Sequence, residues 1–114
     1  RFLNRPIAVL RAPFFGMPAY TMTLLPRLAE RSGATVLFAY CERIGDLAFA
    51  LRIEPAPEGI ASSDTRIATT ALNAMVERIA RRSAAQYQWT YKRYTLQPCM
   101  DGSDNPYREL EGRA

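Results

Sequence analysis

The hydrophobic pattern of the sequence predicts an α/β fold in which a small mixed sheet is flanked by helices. Short apolar runs rich in β-branched and aromatic residues alternate with longer stretches whose apolar residues recur every three or four positions. The chain has 114 residues, of which 48% are hydrophobic and 23% are charged, which is typical of a globular domain. This length accommodates one domain.

The first predicted elements are a strand and a helix. Residues 6–12, PIAVLRA, form a short and mostly apolar run that is typical of a strand buried on both faces. In residues 18–32 apolar side chains recur at helical spacing, and Gly33 follows as a stop signal. Pro26 interrupts this pattern, so the helix either begins near Thr23, with the proline in its first turn, or is kinked.

The second half of the chain predicts a hairpin and a long helix. Residues 34–42 and 46–55 are rich in strand-forming residues and are separated by a short turn, which favours a β-hairpin. After a loop rich in Pro, Gly and Ser, Asp64 can cap a helix whose apolar stripe extends to about Arg82. Helices packed on a partly parallel sheet of these strands would form the predicted fold.

Residues 1–98 are expected to form the folded portion, and residues 99–114, which have many turn formers, to be poorly ordered. Cys41 and Cys99 are interpreted as a buried thiol and a free thiol, with a disulfide as the alternative. No apolar run approaches the roughly 20 residues that span a bilayer. No spacing typical of metal ligands is present, so neither a metal nor another cofactor is expected.

The formal net charge is +4 and the pI is about 9.4, and cations cluster late in the chain. We refer to this set as the basic cluster: Arg78, Arg81, Arg82, Lys92 and Arg93. Such a cluster suits an anionic membrane surface, whereas the alternative is an ordinary solvated helix face. Aromatic residues accompany it in residues 87–94, but the absence of known RNA-binding motifs argues against nucleic acid.

The residues offer little catalytic chemistry of their own. The chain contains no histidine, which excludes Ser-His and Cys-His nucleophile systems within it. It also lacks the glycine-rich loops that bind dinucleotides or nucleotide phosphates. These observations predict a binding or structural portion of a larger system.

Four motifs in order carry a family resemblance: PFFGMPAYTMTLLPRLAERSGATVLFAYCER, the EPAP loop, ALNAMVERIARR and QYQWTYKRY. Together they resemble the C-terminal half of the bacterial lipid A biosynthesis acyltransferases, over roughly residues 7–98. The resemblance implies a fold related to glycerolipid acyltransferases, an acyl carrier protein thioester as donor and a lipid A precursor hydroxyl as acceptor. It also implies a peripheral position at the cytoplasmic face of the bacterial inner membrane.

The chain departs from the family in its catalytic residues. Family members use a HxxxxD/E motif, in which the histidine is the general base, and this chain has no histidine. The sequence begins where the third conserved block of the family begins, so the catalytic pair is expected upstream and the isolated chain is expected to be inactive. Self-association is expected if upstream strands are missing. The alternative is a free-standing, non-catalytic domain that binds anionic lipid or nucleic acid.

The PFFG sequence at residues 13–16 is expected to join the first strand to the first helix. The resemblance implies that Gly16 lets the backbone turn close to a ligand, and that Phe14 and Phe15 line a slot for an acyl chain. The alternative is a strand-to-helix turn filled by core aromatic residues.

Two further residues are candidates for substrate binding. Thr21 is expected either to hydrogen-bond the substrate or, like Thr23, to cap the first helix. Arg43, just beyond a predicted strand, is expected to contact a phosphate or carbonyl oxygen because a guanidinium can donate two parallel hydrogen bonds. Its alternative interpretation is a surface arginine of the hairpin.

Overall fold

The computed structural model describes residues 8–94 and residue 107. In chain order the elements are β1 (Val9–Phe14), β2 (Met17–Met22), α1 (Leu24–Ser32), β3 (Leu37–Arg43), β4 (Phe49–Pro55), α2 (Thr65–Arg82) and a 3-10 helix (Ala84–Gln86). Strands β1 and β2 pair antiparallel, as do β3 and β4. The predicted α/β class is confirmed. The expectation of partly parallel pairing is wrong, because the described strands form two separate antiparallel pairs.

The first pair is a tight hairpin that the sequence analysis did not predict. Strand β1 continues through Pro13, which lies opposite Pro18. Prolines are tolerated there because each strand of a two-stranded sheet has an edge that needs no ladder hydrogen bond. The connecting residues Phe15 and Gly16 have φ values of 49° and 78°, and positive φ at both central positions is typical of a type I′ turn. The predicted strand-to-helix turn and the helix beginning at Pro18 are therefore wrong.

Helix α1 begins where the first of the two alternatives placed it. Thr23 occupies the N-cap position, and Pro26 lies in the first turn, where its missing N–H costs little. Gly33 ends the helix with a φ of 64°, a left-handed conformation that glycine adopts readily. The Thr23 hydroxyl donates to the Ala8 carbonyl at 2.9 Å and accepts no capping hydrogen bond from the helix. The beginning of α1 is thereby attached to the chain just before β1.

The predicted second hairpin is confirmed, and we refer to β3 and β4 together as the ribbon. One of its faces is apolar and exposed, with Leu51 at 64% and Ile53 at 59% exposure. Cys41 lies on this face opposite Leu51 and is exposed, so its interpretation as a buried thiol is wrong. Cys99 lies outside the described residues. The alternation of strand side chains explains this outcome, since the register turns the polar residues towards α2.

Helix α2 covers one face of the first hairpin. Asp64 caps the helix by accepting a hydrogen bond from the Arg66 N–H at 2.8 Å, as predicted. Ala12 and Phe14 of β1 are each only 2% exposed, and Met75 of α2 is 1% exposed. One face of the first strand is therefore covered, but Arg11 and Pro13 on its other face are exposed, so the expectation of burial on both faces is wrong. Self-association stays a prediction, and the ribbon is where the described residues expose an apolar face.

A buried polar network joins α2 to the hairpin. Asn73, 1% exposed, donates to the Ala12 carbonyl at 3.3 Å and to the Thr21 hydroxyl at 2.9 Å. Its own oxygen accepts from Arg93 at 2.9 Å. Among the described residues no buried side-chain nitrogen or oxygen lacks a partner. Each buried side-chain nitrogen and oxygen of the network therefore has a partner, a condition that favours a single packing. The predicted tail at 99–114 and the boundary at residue 98 lie outside the described residues, apart from Tyr107.

We expect the Asn73→Ala variant to lose about 1–3 kcal/mol of unfolding free energy, because the Ala12 carbonyl, the Thr21 hydroxyl and Arg93 each lose a buried partner. Urea unfolding followed by circular dichroism measures the change. Ala74→Gln is the control, since Ala74 is exposed on the same helix and its substitution should change stability by no more than about 0.5 kcal/mol. Equal stability of the Asn73→Ala variant and the wild type would contradict the role given to this network.

Candidate functional site

A cavity of about 880 Å³ lies alongside α1. Its walls come from β1, β2, α1, the connection to β3, α2 and the segment after the 3-10 helix. The apolar lining side chains are Val9, Met22, Leu24, Leu25, Leu28, Val36, Leu37 and Leu72. Several of them remain open to solvent, with Met22 at 58% and Leu28 at 55% exposure. An apolar cavity of this size is typical of a small-molecule site. We refer to it as the main cavity.

Part of the lining is polar and cationic. Tyr91, Lys92 and Arg93 line the cavity there. The Arg93 guanidinium donates to the Tyr20 carbonyl at 2.7 Å and to the Thr21 hydroxyl at 2.8 Å, and it lies 5.1 Å from the centre of the Phe14 ring. The segment carrying Arg93 is thus fixed against the first hairpin, so a positive charge borders an apolar volume.

The structure separates the predicted substrate-binding residues. Thr21 is buried and lines the main cavity. It lies in β2 rather than at the helix start, so its expected capping role is wrong. Phe14, Phe15 and Gly16 are not among the lining residues. Phe14 is buried in the core and contacts Phe15 edge-to-face, with ring centres 4.8 Å apart.

Phe15 and Gly16 form a turn that α2 supports. The Phe15 N–H donates to the Glu77 carboxylate at 2.7 Å, and the Arg81 guanidinium lies 4.7 Å from the centre of the Phe15 ring. Arg81 also pairs with Glu77 at 2.8 Å. A positive φ is uncommon for phenylalanine, and these contacts from α2 hold the turn. Together the hydrogen bonds from Arg81 and from the Phe15 N–H lower the pKa of Glu77.

Arg43 lies at the far end of the ribbon, away from the main cavity. Its backbone N–H donates to the Gln86 side chain at 2.8 Å, and its guanidinium donates to the Asp46 carbonyl at 2.9 Å. The guanidinium also lies over the Phe49 ring at 4.7 Å. These contacts place Arg43 in the ribbon turn, and its predicted phosphate contact stays a prediction.

The basic cluster is divided into two groups. Its three α2 members bind carboxylates: Arg78 and Arg82 pair with Glu54, and Arg81 pairs with Glu77. The hydrogen bonds from Arg82 and then from Tyr40 lower the pKa of Glu54. Lys92 and Arg93 instead line the main cavity. The cluster is therefore not one continuous cationic surface.

The described residues contain no group of three or more potential metal ligands.

A sequence model of the bacterial lipid A biosynthesis acyltransferases matches residues 7–95, which is most of the chain. The chain belongs to this family. The resemblance predicted from the motifs is thus confirmed, and family membership indicates a lipid A acyltransferase-like function. No curated protein is similar enough to the chain to count as a match. Within residues 8–94, no helix has the length and apolarity needed to cross a bilayer.

The sequence analysis did not identify a row of polar residues on α2 that supports the first hairpin. Thr69, Asn73, Glu77 and Arg81 follow one another at intervals of four residues, which places them on one helix face. This face meets the first hairpin, where Asn73 contacts Thr21 and Glu77 contacts Phe15. The four-residue spacing was visible in the sequence, but its partners were not, because the hairpin had not been predicted.

The paired carboxylates predict how stability depends on pH. A carboxyl group whose pKa is lowered by folding stabilises the native state above its unfolded pKa of about 4.3, and this contribution is lost as pH falls through the folded value. Glu77 is such a group. We therefore expect Glu77→Gln to be less stable than the wild type at pH 7 and to lose less stability between pH 7 and pH 3.

Urea unfolding at several pH values measures this difference. Glu42 and Glu54 also have lowered pKa values, so the variant should retain part of the acid sensitivity. Glu58→Gln is the matched control because Glu58 is an exposed residue of the loop before α2, and it should follow the wild-type curve. Parallel curves for Glu77→Gln and the wild type would contradict the stabilising role of this carboxylate.

Proposed function

We propose that the chain is part of an acyltransferase that moves a fatty acyl group from an acyl carrier protein thioester to a hydroxyl of a lipid A precursor. The proposal places it at the cytoplasmic face of the bacterial inner membrane. It is supported by the family match over residues 7–95. The observation that carries it is the main cavity, whose apolar walls suit a hydrocarbon chain.

The walls of the main cavity suit an acyl chain because they are largely aliphatic. Leu24, Leu25 and Leu28 come from the first five residues of α1, and Met22 adds a wall residue from β2. Burying a methylene group contributes about 0.8 kcal/mol, so a chain of ten or more carbons gains considerable affinity without any polar contact. Met22 is an unbranched, adaptable side chain that fits chains of varied shape.

The reaction requires a base that we place outside these 114 residues. The acceptor hydroxyl oxygen forms a bond to the thioester carbonyl carbon, the carbon–sulfur bond breaks, and the hydroxyl proton must be removed. Glu42, Glu54 and Glu77 have lowered pKa values, which makes them weak bases. The family resemblance implies a histidine of a HxxxxD/E motif in this role. We expect the isolated chain to bind acyl chains without transferring them.

The predicted substrate-binding residues take different proposed roles. Thr21 is proposed to contact the ligand, because it lines the main cavity. Phe14, Phe15 and Gly16 are proposed to act indirectly, by forming the hairpin whose second strand supplies a cavity wall. Arg43 remains a proposed phosphate contact on the ribbon, remote from the acyl chain.

A photoreactive fatty alcohol carrying a diazirine tests the acyl-chain site. After irradiation with the 114-residue chain, we expect mass spectrometry to find labelled peptides from β2 and α1. Leu28→Asp should reduce labelling several-fold, because a carboxylate in the apolar wall is costly to desolvate. Leu47→Asp is the matched control, since Leu47 is 95% exposed at the ribbon tip. Labelling spread evenly over the chain, or unchanged by Leu28→Asp, would refute the assignment of the cavity.

We also propose that the α2 members of the basic cluster contact anionic headgroups, since their side chains retain 47–63% exposure within their ion pairs. The Arg81→Gln/Arg82→Gln variant should co-sediment less than the wild type with vesicles containing anionic lipid at low salt, because each arginine near the surface contributes about 1 kcal/mol. High salt should release the wild type.

The control removes the same charge from α1. Arg27→Gln/Arg31→Gln substitutes two exposed arginines and should bind vesicles almost as well as the wild type. Circular dichroism confirms that both variants fold. Equal loss of binding by the two variants would mean that only net charge matters, and the proposed α2 contact would fail.

A further inference from the structure

We propose that Arg93 binds the phosphate group of an acyl lipid whose hydrocarbon chain occupies the main cavity. This inference rests on the proposed function, because it requires an acyl chain in the cavity. It goes further by naming the residue that recognises the headgroup and the chemistry of that headgroup. In the sequence analysis Arg93 was one of five cations assigned to a membrane surface, and its position in the structure gives it a different role.

Arg93 is a partly buried cation without an acidic partner among the described residues. Its hydrogen bonds go to neutral acceptors: the Tyr20 carbonyl, the Thr21 hydroxyl and the Asn73 side-chain oxygen. Arg78, Arg81 and Arg82 in the same cluster each bind a carboxylate. Buried charges in proteins are normally paired, so the charge of Arg93 is available to an anion that arrives with a ligand.

The guanidinium is held in place while keeping donors for a ligand. Both hydrogens of Nη2 are used by Thr21 and Asn73, and Nη1 gives one hydrogen to Tyr20. An arginine has five N–H donors. The Nε–H and the second Nη1–H therefore have no acceptor among the described residues. A guanidinium fixed in this way binds an oxyanion with little loss of conformational entropy.

The position of the Arg93 charge beside aliphatic side chains indicates that the ligand is amphipathic. Arg93 and the aliphatic side chains of α1 line the same cavity, so one molecule can place a hydrocarbon chain on the leucines and an anionic group at Arg93. We assign a phosphate because it carries more charge than a carboxylate, and one of its oxygens can accept a charge-assisted hydrogen bond from a remaining Arg93 N–H. In a carrier thioester the phosphodiester is separated from the acyl chain by the pantetheine arm. A phosphate next to the chain therefore indicates a phosphorylated lipid.

Isothermal titration calorimetry with soluble ten-carbon amphiphiles, below their micelle concentrations, tests the proposal. The probes are decyl phosphate, the uncharged decyl maltoside and inorganic phosphate. The wild type should bind decyl phosphate at least about tenfold more tightly than decyl maltoside, which is the effect of one charge-assisted hydrogen bond. Inorganic phosphate should bind much more weakly than decyl phosphate, since it has no chain.

Two substitutions separate Arg93 from general electrostatics. Arg93→Gln should lose the preference for decyl phosphate, so its affinity for decyl phosphate should fall more than its affinity for decyl maltoside. Arg27→Gln removes the same charge from an exposed position of α1 outside the main cavity and should retain the wild-type preference. If Arg93→Gln does not fold, the Arg93 Nε–H resonance of the wild type decides the question. It should shift with decyl phosphate and stay unchanged with decyl maltoside.

The outcomes distinguish this inference from the proposed function. Binding of decyl maltoside with no preference for decyl phosphate would overturn the role of Arg93 and leave the acyl-chain site in place. Equal loss of affinity for both probes in Arg93→Gln would reduce Arg93 to a structural residue and overturn the proposal. Failure of every ten-carbon probe to bind the wild type would overturn both claims.

Discussion

The buried contact between Arg93, Asn73 and Thr21 is the interaction on which the rest of the structure depends. It joins three pieces of chain that are distant in sequence: the second strand of the first hairpin, the middle of α2 and the segment after the 3-10 helix. Each of these pieces lines the main cavity or supports a residue that does. Because every buried side-chain nitrogen and oxygen among the described residues has a partner, the network favours one relative arrangement of the three pieces around the cavity.

The same face of α2 also supports the turn of the first hairpin. Glu77, one helical turn after Asn73, accepts a hydrogen bond from the Phe15 N–H and stabilises a backbone conformation that phenylalanine rarely adopts. Arg81 then neutralises this carboxylate and covers the Phe15 ring. Phe14 and Phe15, which the sequence analysis placed in a ligand slot, thus help to support β2. The main cavity is instead lined by aliphatic residues that follow them.

Charge and apolar surface are distributed unevenly over the molecule. The ribbon turns its polar residues towards α2, where Glu54 binds Arg78 and Arg82, and leaves its apolar face exposed. The main cavity combines aliphatic walls with a cation that has only neutral partners among the described residues. Three of the α2 arginines are thus paired with carboxylates, whereas Arg93 at the cavity is not paired with one in the described part of the chain. This arrangement fits a family whose substrates combine hydrocarbon chains with polar headgroups.

The sequence by itself determined the α/β class, the cap and extent of α2, the end of α1 at Gly33 and the family, because these depend on local signals and on motif order. It did not reveal the first hairpin, since its turn uses Phe-Gly instead of a common turn dipeptide, and positive φ at Phe15 is maintained by Glu77 from 62 residues away. Only the tertiary structure decided which arginines were paired and that Arg93 borders the cavity. A cation's role depends on the acceptors that folding brings to it, and those of Arg93 lie 20 to 73 residues away along the chain.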